Sequence, residues 1–373
     1  MVPTPQILPA GRSRSSSVSS ISSSEPPRPA GTGRTPLTPQ ALHCWIAARA
    51  LPQYRESQIL TWVYHRRARD FAAMSELPLA LRAELAAEFE IPQLVPAAVS
   101  RSQDGTRKLL FRLADGLAIE AVLIPEPGRL TLCISSQAGC GMGCIFCATA
   151  RLGLQRQLAV PEIVGQVMAA ERVLDEGEEL SNVVLMGMGE PLHNYDNVVA
   201  ALAVLSAPWG LAINARRITV STVGLVPQML RLVRETNVNL AVSLNATTDE
   251  LRQRLMPVNK KYPLAELLAA GRALPLAQRR RITFEYVMLA GVNDRLADAG
   301  RLIKLLHGIR AKVNLIPFNA FPEAGFARAD DHAIAALAEH LRAAGVLATV
   351  RRSRGQDIEA ACGQLAAQRA PRV

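Results

Sequence analysis

The sequence predicts an α/β fold, a partial (β/α) barrel of the TIM-like kind preceded by a small helical domain. After residue 100, short β-branched runs alternate with amphipathic helical stretches, which is typical of a parallel sheet. Between residues 37 and 100, apolar residues recur instead at three- and four-residue spacing. With 373 residues and a hydrophobic fraction of 49%, the chain can form one large domain and one small one.

The N-terminal part divides into a tail and a helical module. Residues 1–36 are rich in Ser, Pro, Arg and Gly, and we expect them to be disordered because they cannot bury a core. Residues 37–100 predict three or four short helices. In "TWVYHRRARDF" aromatic side chains lie beside Arg and His, which suits either RNA stacking or core packing. We expect Trp62, Val63 and Phe71 to pack in the core and the basic residues to lie at the surface.

The barrel is predicted over residues 101–354, followed by a C-terminal segment over 355–373. Its strands are predicted from the runs "RLTLCISS", "NVVLMGMG", "RITVSTVG", "NLAVSLNA", "RITFEYVML", "KVNLIPFN" and "LATVRRS". In such barrels the active site lies at the carboxyl ends of the strands. Polar or glycine residues occur where these runs end: Gly189, Glu190, Ser221, Thr222, Ser243, Asn245 and Asn319. We therefore expect one shared pocket at that edge.

Charge and cysteine usage narrow the class of protein. The formal net charge of +10 favours a polyanionic partner, nucleic acid first, although an arginine-rich composition also follows from a GC-rich genome. No apolar run approaches the roughly 18 to 20 residues of a membrane helix, and the start lacks the order of a signal peptide. We expect a cytoplasmic protein, in which clustered cysteines bind metal or do chemistry.

Three of the six cysteines lie close together in "SSQAGCGMGCIFCATA", with the spacing C-x3-C-x2-C. They are Cys140, Cys144 and Cys147. Structural zinc takes four ligands, whereas this loop offers three. An iron–sulfur cluster also binds thiolates, and three ligands for four irons leave one iron open to a substrate. The pattern favours the cluster.

These features resemble the radical S-adenosylmethionine (radical SAM) superfamily. The cysteine loop follows the first predicted parallel strand, Phe146 precedes the third cysteine, and "GMGEP" follows the second strand. The resemblance implies a [4Fe–4S] cluster on the three cysteines, with SAM bound to the open iron. It also implies that Gly189 and Glu190 hold the amino group of SAM.

A closer resemblance is to the RlmN family, which is related to Cfr. It covers about residues 36 to 368, including the helical module, which is similar to the family's accessory RNA-binding domain. The motifs that carry it are "TLCISSQAGCGMGCIFCATA", "VVLMGMGEPLHNYDNV", "RITVSTVGLVP", "RLMPVNKKYPL", "EYVMLAGVND", "NLIPFN" and "SRGQDIEAACGQLA". The resemblance implies methylation of carbon 2 of an adenine in 23S rRNA, and in some members of tRNA. It also implies two SAM per turnover, a flavodoxin- or ferredoxin-type electron donor, and a monomer.

The same resemblance implies roles for single residues. Cys362 accepts a methyl group from one SAM, and cleavage of a second SAM yields the radical that activates this methyl for addition to the RNA. Cys133 then resolves the covalent adduct through a disulfide, and Glu120 accepts a proton. The SAM contacts implied are Ser221, Ser243, Leu244, Asn245 and Asn319. Asn245 stands where the family often has His, and its amide cannot take up a proton as a His side chain does. Cys44 has no family role, and we expect it in the core.

Three other functions remain open from the motifs. A Cfr-like enzyme would methylate carbon 8 of the same adenine with the same cysteines. A non-catalytic iron–sulfur protein could bind RNA or assist ribosome assembly. A radical SAM enzyme could act on a small molecule, although the net charge of +10 disfavours this.

Overall fold

The computed structural model describes residues 33–321 and 324–367, and it begins with the helical module. Three helices are flanked by two short strands that pair in parallel. The elements are β1 (Thr35–Pro36), α1 (Pro39–Ala48), α2 (Tyr54–Tyr64), α3 (Leu79–Glu88) and β2 (Phe89–Glu90). Of the predicted tail, residues 1–32 lie outside the described residues, and Thr35–Pro36 already belong to β1.

The core of the helical module contains the apolar residues that the sequence pattern predicts, but not Cys44. Val63 and Phe71 are buried as expected, and Trp62 is partly buried beneath the Arg66 guanidinium, 4.3 Å from the ring centroid. Cys44, expected in the core, is exposed. The buried side of α1 is formed by Leu42, Trp45 and Ile46, and position 44 points away from these three.

A ten-stranded mixed sheet forms the rest of the fold. Its strands are β3 (Pro96–Arg101), β4 (Arg107–Arg112), β5 (Ala118–Glu126), β6 (Arg129–Cys133), β9 (Asn182–Leu185), β10 (Ile218–Thr222), β11 (Asn239–Ser243), β12 (Ile282–Met288), β13 (Ala311–Pro317) and β14 (Leu347–Val350). A separate antiparallel pair joins β7 (Gln137–Gly139) to β8 (Leu154–Gln157). The spatial order is β14-β13-β12-β11-β10-β9-β6-β5-β4-β3.

The seven predicted runs are the parallel strands β6 and β9 to β14, so that prediction is confirmed. Within the described residues, β14 and β3 are the two ends of the sheet and do not pair, so the barrel is partial. The strands β3, β4 and β5 extend it in antiparallel fashion. The predicted domain boundary at residue 100 falls inside β3, because the helical part already ends at Glu88.

Helices connect the parallel strands and bring all their carboxyl ends to one edge. They are α4 (Ala148–Arg151), α5 (Val160–Glu171), α6 (Tyr195–Ser206), α7 (Val226–Glu235), α8 (Asp249–Leu255), α9 (Leu264–Ala273), α10 (Leu296–Leu306) and α11 (Asp331–Ala343). Short 3-10 turns form at Pro191–Asn194, Ala215–Arg217, Pro257–Lys260 and Gln356–Ile358.

The helical module contacts this α/β part directly. Tyr64 of α2 packs against Trp209, with ring centroids 6.1 Å apart. The Arg67 guanidinium donates to the Glu171 carboxylate at the end of α5, with Nε 3.0 Å from Oε2. Among the described residues, no helix has the length and apolar character needed to cross a membrane.

Candidate active site

One cavity lies where the carboxyl ends of the parallel strands meet, as the barrel predicts. Its wall is formed by the loops that follow β7, β9, β10 and β11, by the ends of β12 and β13, and by the C-terminal segment. The predicted site residues that line it are Cys140, Cys144, Cys147, Gly189, Glu190, Ser221, Ser243, Asn245, Asn319 and Cys362. Glu120, Cys133 and Leu244 are not part of the lining.

The cysteine loop connects β7 to α4 and is fixed by backbone hydrogen bonds. The N–H of Cys140 donates to the Gly153 carbonyl at 2.9 Å, and that of Cys147 donates to the Cys144 carbonyl at 3.2 Å. Gly139 adopts φ +74°, and a Cβ there would lie 1.9 Å from the Gly153 oxygen. Glycine is therefore required where the loop begins.

The donor set of this loop fits an iron–sulfur cluster. All three cysteines are free of disulfides. Burial raises the pKa of Cys140 to about 12 and raises the pKa of Cys144 well above its ordinary value, so the thiols need a bound cationic centre to ionise. Within residues 33–321 and 324–367, no three His, Cys, Asp or Glu side chains converge on one metal ion. Cluster thiolates bind separate irons and do not need to converge.

Glu190 places a carboxylate in the same cavity, and none of the described residues provides it with a cationic partner. Its side chain is 3% exposed, Oε1 accepts the Leu192 N–H at 3.0 Å, and Oε2 accepts the Val223 N–H at 2.8 Å. Burial outweighs these bonds and raises the pKa of Glu190 to about 7. Gly189, at φ +101°, brings the chain against Gln137, whose side chain would lie 2.5 Å from an added Cβ. The site suits the ammonium group of a ligand.

Further polar side chains line the cavity at the strand ends. Ser243 is the last residue of β11, and Ser221 lies at the end of β10, where its hydroxyl donates to Glu285 Oε2 at 3.0 Å. Asn319 follows β13, and its Nδ2 donates to the Cys362 carbonyl at 3.1 Å. These contacts join the strand ends to the C-terminal segment.

Asn245 suits the backbone conformation at its position. Its backbone is left-handed, with φ +57°, a conformation that Asn adopts more readily than most residues. Its Oδ1 accepts the Val287 N–H at 2.8 Å and its Nδ2 lies 3.2 Å from Met256 Sδ. The preceding Leu244 is buried, and its N–H donates to the Glu285 carbonyl at 2.9 Å. Both residues therefore fix the loop after β11.

The segment that carries Cys362 is bound directly to the residues after the cysteine loop. The Ala148 N–H donates to the Gly363 carbonyl at 2.8 Å, and the Thr149 hydroxyl donates to the Leu365 carbonyl at 2.6 Å. Cys362 thus lies in the same cavity as the three loop cysteines.

Cys133 lies at the end of β6, paired with Val184 of β9 and buried. It shares one electrostatic environment with Cys362, Glu285 and Arg351. Burial raises the pKa of Cys133 to about 12 and that of Cys362 to about 11, and the Arg351 guanidinium opposes both shifts. The structure therefore brings the two predicted sulfur residues together.

Glu120 is buried in β5, where its carboxylate contacts the C-terminal segment. Its Oε1 lies 3.2 Å from Lys108 Nζ. Its Oε2 accepts the N–H groups of Ala366 and Ala367 at 3.1 and 3.0 Å. In the structure, Glu120 therefore contacts Lys108 and the C-terminal segment.

Three charged residues of the site were missed from the sequence. Glu285 had a signal, since it is an acidic residue inside the apolar run "RITFEYVML". Arg351, in "LATVRRS", and Arg252, in the amphipathic "DELRQRL", resemble ordinary surface arginines.

Comparison with known proteins agrees with this architecture. Residues 134–303 match the family model described as the radical SAM superfamily. Residues 35–91, which span the helical module, match the ribosomal RNA large subunit methyltransferase N-terminal domain. The crystal structure of a radical SAM methyltransferase from Sphaerobacter thermophilus is 48% identical, has a TM-score of 0.82, and the match covers 89% of this chain and 98% of that one. Fold and site together define a radical SAM enzyme.

Closer relatives identify the family within that class. The dual-specificity RNA methyltransferase RlmN of Syntrophotalea carbinolica is 53% identical over 88% of this chain and 88% of its own length. The protein of the same name from Geobacter sulfurreducens is 51% identical over 88% of this chain and 90% of its own. This chain belongs to the RlmN family of dual-specificity RNA methyltransferases.

Proposed function

We propose that this chain methylates carbon 2 of an adenine in 23S rRNA and in tRNA. Carbon 2 is electron-poor and cannot attack the methyl group of SAM directly, so the reaction requires a radical route. The observation that carries the proposal is the presence of Cys133 and Cys362 in one electrostatic environment beside the cavity that the three loop cysteines line. A nucleophilic atom can take the methyl group directly from SAM, so its methylation would not need Cys133 and Cys362.

Cys140, Cys144 and Cys147 would hold a [4Fe–4S] cluster, and two SAM molecules would be used per turnover. When bound, cluster and SAM supply one electron and a radical able to take a hydrogen atom from a methyl group. Glu190 binds the ammonium group of SAM through its buried carboxylate. The remaining SAM contacts that we propose are Gly189, Ser221, Ser243, Leu244, Asn245 and Asn319.

Cys362 carries the methyl group that becomes attached to carbon 2, and Cys133 releases the product. The Cys133 thiolate attacks the sulfur of Cys362, a sulfur–sulfur bond forms, and the bond from that sulfur to the methylene carbon breaks. The electron pair stays on carbon, which takes a proton and becomes the new methyl group. The Arg351 guanidinium favours the thiolate form, because it lowers the pKa of both cysteines against burial.

Glu120 is the proposed acceptor of the proton that leaves carbon 2, and the unpaired electron left by the addition would return to the bound cluster. Lys108 Nζ lies 3.2 Å from Glu120 Oε1. Because Glu120 Oε2 accepts the N–H groups of Ala366 and Ala367, this role requires those residues to move away during the reaction.

The net charge of +10 supports an RNA partner, and the helical module is proposed to contact that RNA. We further propose that the enzyme is a cytoplasmic monomer that receives electrons from a flavodoxin- or ferredoxin-type protein.

The test is mass spectrometry of nucleosides from 23S rRNA and tRNA of a strain that lacks the gene. Wild-type protein and a Cys44→Ala control should restore 2-methyladenosine, since Cys44 is exposed and outside the cavity. Cys362→Ala should restore none. Restoration of 8-methyladenosine would instead identify the Cfr-like reaction, and the absence of any methylated adenosine with the wild type would refute the proposal.

A further inference from the structure

Arg252 of α8 is fully buried, yet no part of the chemistry above uses it. Within residues 33–321 and 324–367, the acceptors of its guanidinium are all neutral oxygen atoms on the loops around the cavity. The acceptors are the Leu244 carbonyl (3.2 Å), the Val223 carbonyl (2.8 Å), the Ser243 carbonyl (3.3 Å), Asn259 Oδ1 (2.9 Å) and the Tyr262 carbonyl (3.2 Å). The side chain therefore holds together the loops after β10 and β11, which carry residues of the cavity wall.

The charge of Arg252 is not neutralised by a close carboxylate. Among the described residues, no Asp or Glu oxygen lies within 4.0 Å of its guanidinium, and Asp249 acts on it only at longer range. Burial lowers the pKa of Arg252 to about 10, so the side chain remains cationic at neutral pH. A buried cation bound only by neutral dipoles is costly, and an anion placed nearby would offset that cost.

The cysteine loop is where such an anion would lie. The Ile145 N–H donates to the Leu255 carbonyl at the end of α8, at 3.1 Å. Cys144 packs in one apolar cluster with Leu255 and Met256, which lie three and four residues after Arg252 in the sequence.

We propose that Arg252 is a positioning residue that serves as the fixed counter-charge of the cluster held by Cys140, Cys144 and Cys147. This inference rests on the proposed cluster ligands. A cation held by rigid carbonyl contacts stabilises the more negative, reduced cluster more than the oxidised one, so it raises the reduction potential. Arg252 thereby helps electron delivery while it shapes the adjoining pocket.

The test is a redox titration of the cluster in full-length protein without SAM, followed by electron paramagnetic resonance. Arg252→Gln removes the charge, Arg252→Lys keeps it, and Arg254→Gln is the matched control because Arg254 is exposed on the same helix. For Arg252→Gln we expect the ratio of reduced to oxidised cluster at a fixed potential to fall about tenfold, a shift of about 59 mV for one electron. Arg252→Lys and Arg254→Gln should stay within about twofold of the wild type.

The outcomes distinguish a failure of the counter-charge role from a failure of the proposed function. A wild-type potential in Arg252→Gln overturns the counter-charge role while leaving the proposed function intact. A wild-type protein that binds no cluster overturns the proposed function itself. If Arg252→Gln does not fold, the Lys variant decides alone, because a buried lysine loses its proton far more readily than arginine. The reduction potential of the cluster in this variant should then fall, relative to that of the wild type, as the pH rises from neutral to about 9.5. If the two potentials change with pH in parallel, the proposal is wrong.

Discussion

Replacing Glu190 by Gln tests how the cavity would bind the amino group of SAM. The substitution keeps the size of the side chain and removes its charge. The carboxylate is buried, accepts two backbone N–H groups, and has no Lys or Arg nitrogen within 4.0 Å among the described residues. A ligand ammonium would therefore be its first cationic partner.

The expected change in the Kd for SAM follows from that environment. A hydrogen bond to a charged partner contributes about 1.5–3 kcal/mol, which corresponds to a roughly 10- to 150-fold change in Kd. Because the pKa of Glu190 is raised to about 7, the carboxyl group is neutral below that pH and ionised above it. The full effect should therefore appear at about pH 8, where the wild-type side chain already carries its charge.

Equilibrium dialysis of radiolabelled SAM against the cluster-loaded protein measures this affinity. Glu266→Gln is the control, since Glu266 is an exposed glutamate on α9. Iron content and thermal unfolding should be recorded for each variant, because Gln can accept only one of the two N–H groups. A Kd within about twofold of the wild type, with iron unchanged, would remove Glu190 from the SAM site.

Other substitutions should each impair a different property of the protein. Cys144→Ala should lose its iron while keeping its circular dichroism spectrum, and full iron content in this variant would refute the cluster assignment. Cys133→Ala should remain attached to RNA on a denaturing gel until ribonuclease is added, whereas Cys362→Ala should not; RNA trapped by both variants would contradict the two-cysteine mechanism. Glu120→Gln should speed hydrogen exchange of the Ala366 and Ala367 N–H groups by about fivefold, since weakening a hydrogen bond to this side chain costs about 1 kcal/mol; unchanged exchange would show that Glu120 does not hold the segment.

The parallel part of the fold was predictable because its strands are short apolar runs separated by helical patterns. Two of the amphipathic stretches between the strands, "PEIVGQVMAAERVL" and "VPQMLRLVRE", form α5 and α7. The antiparallel extension was not predicted. In β3 five of the six residues are exposed, so the strand carries no apolar pattern, and its pairing with β4 is visible only in the structure.

The site was predictable where one short motif carries its own geometry. The cysteine loop and "GMGEP" each place their functional atoms within a few residues, and both line the cavity. Arg252 and Arg351 were not predictable, because what distinguishes them is the three-dimensional surroundings and not the residue type. Glu120 illustrates a related limit, since its partners Ala366 and Ala367 come from the far end of the chain.

The charges around the cavity share one physical pattern. Burial raises the pKa of Glu190, Glu285 and the cysteines Cys133 and Cys362, so these acids tend towards their neutral forms. Arginine resists neutralisation because its pKa begins so high, and Arg351 therefore adds positive charge beside them, as Arg252 does beside the cysteine loop. Fixed cations beside these acids attract negative charge and favour the ionised form of any thiol or carboxyl group that must react. The anionic cluster and the attacking thiolate that we propose are both species that such a field stabilises.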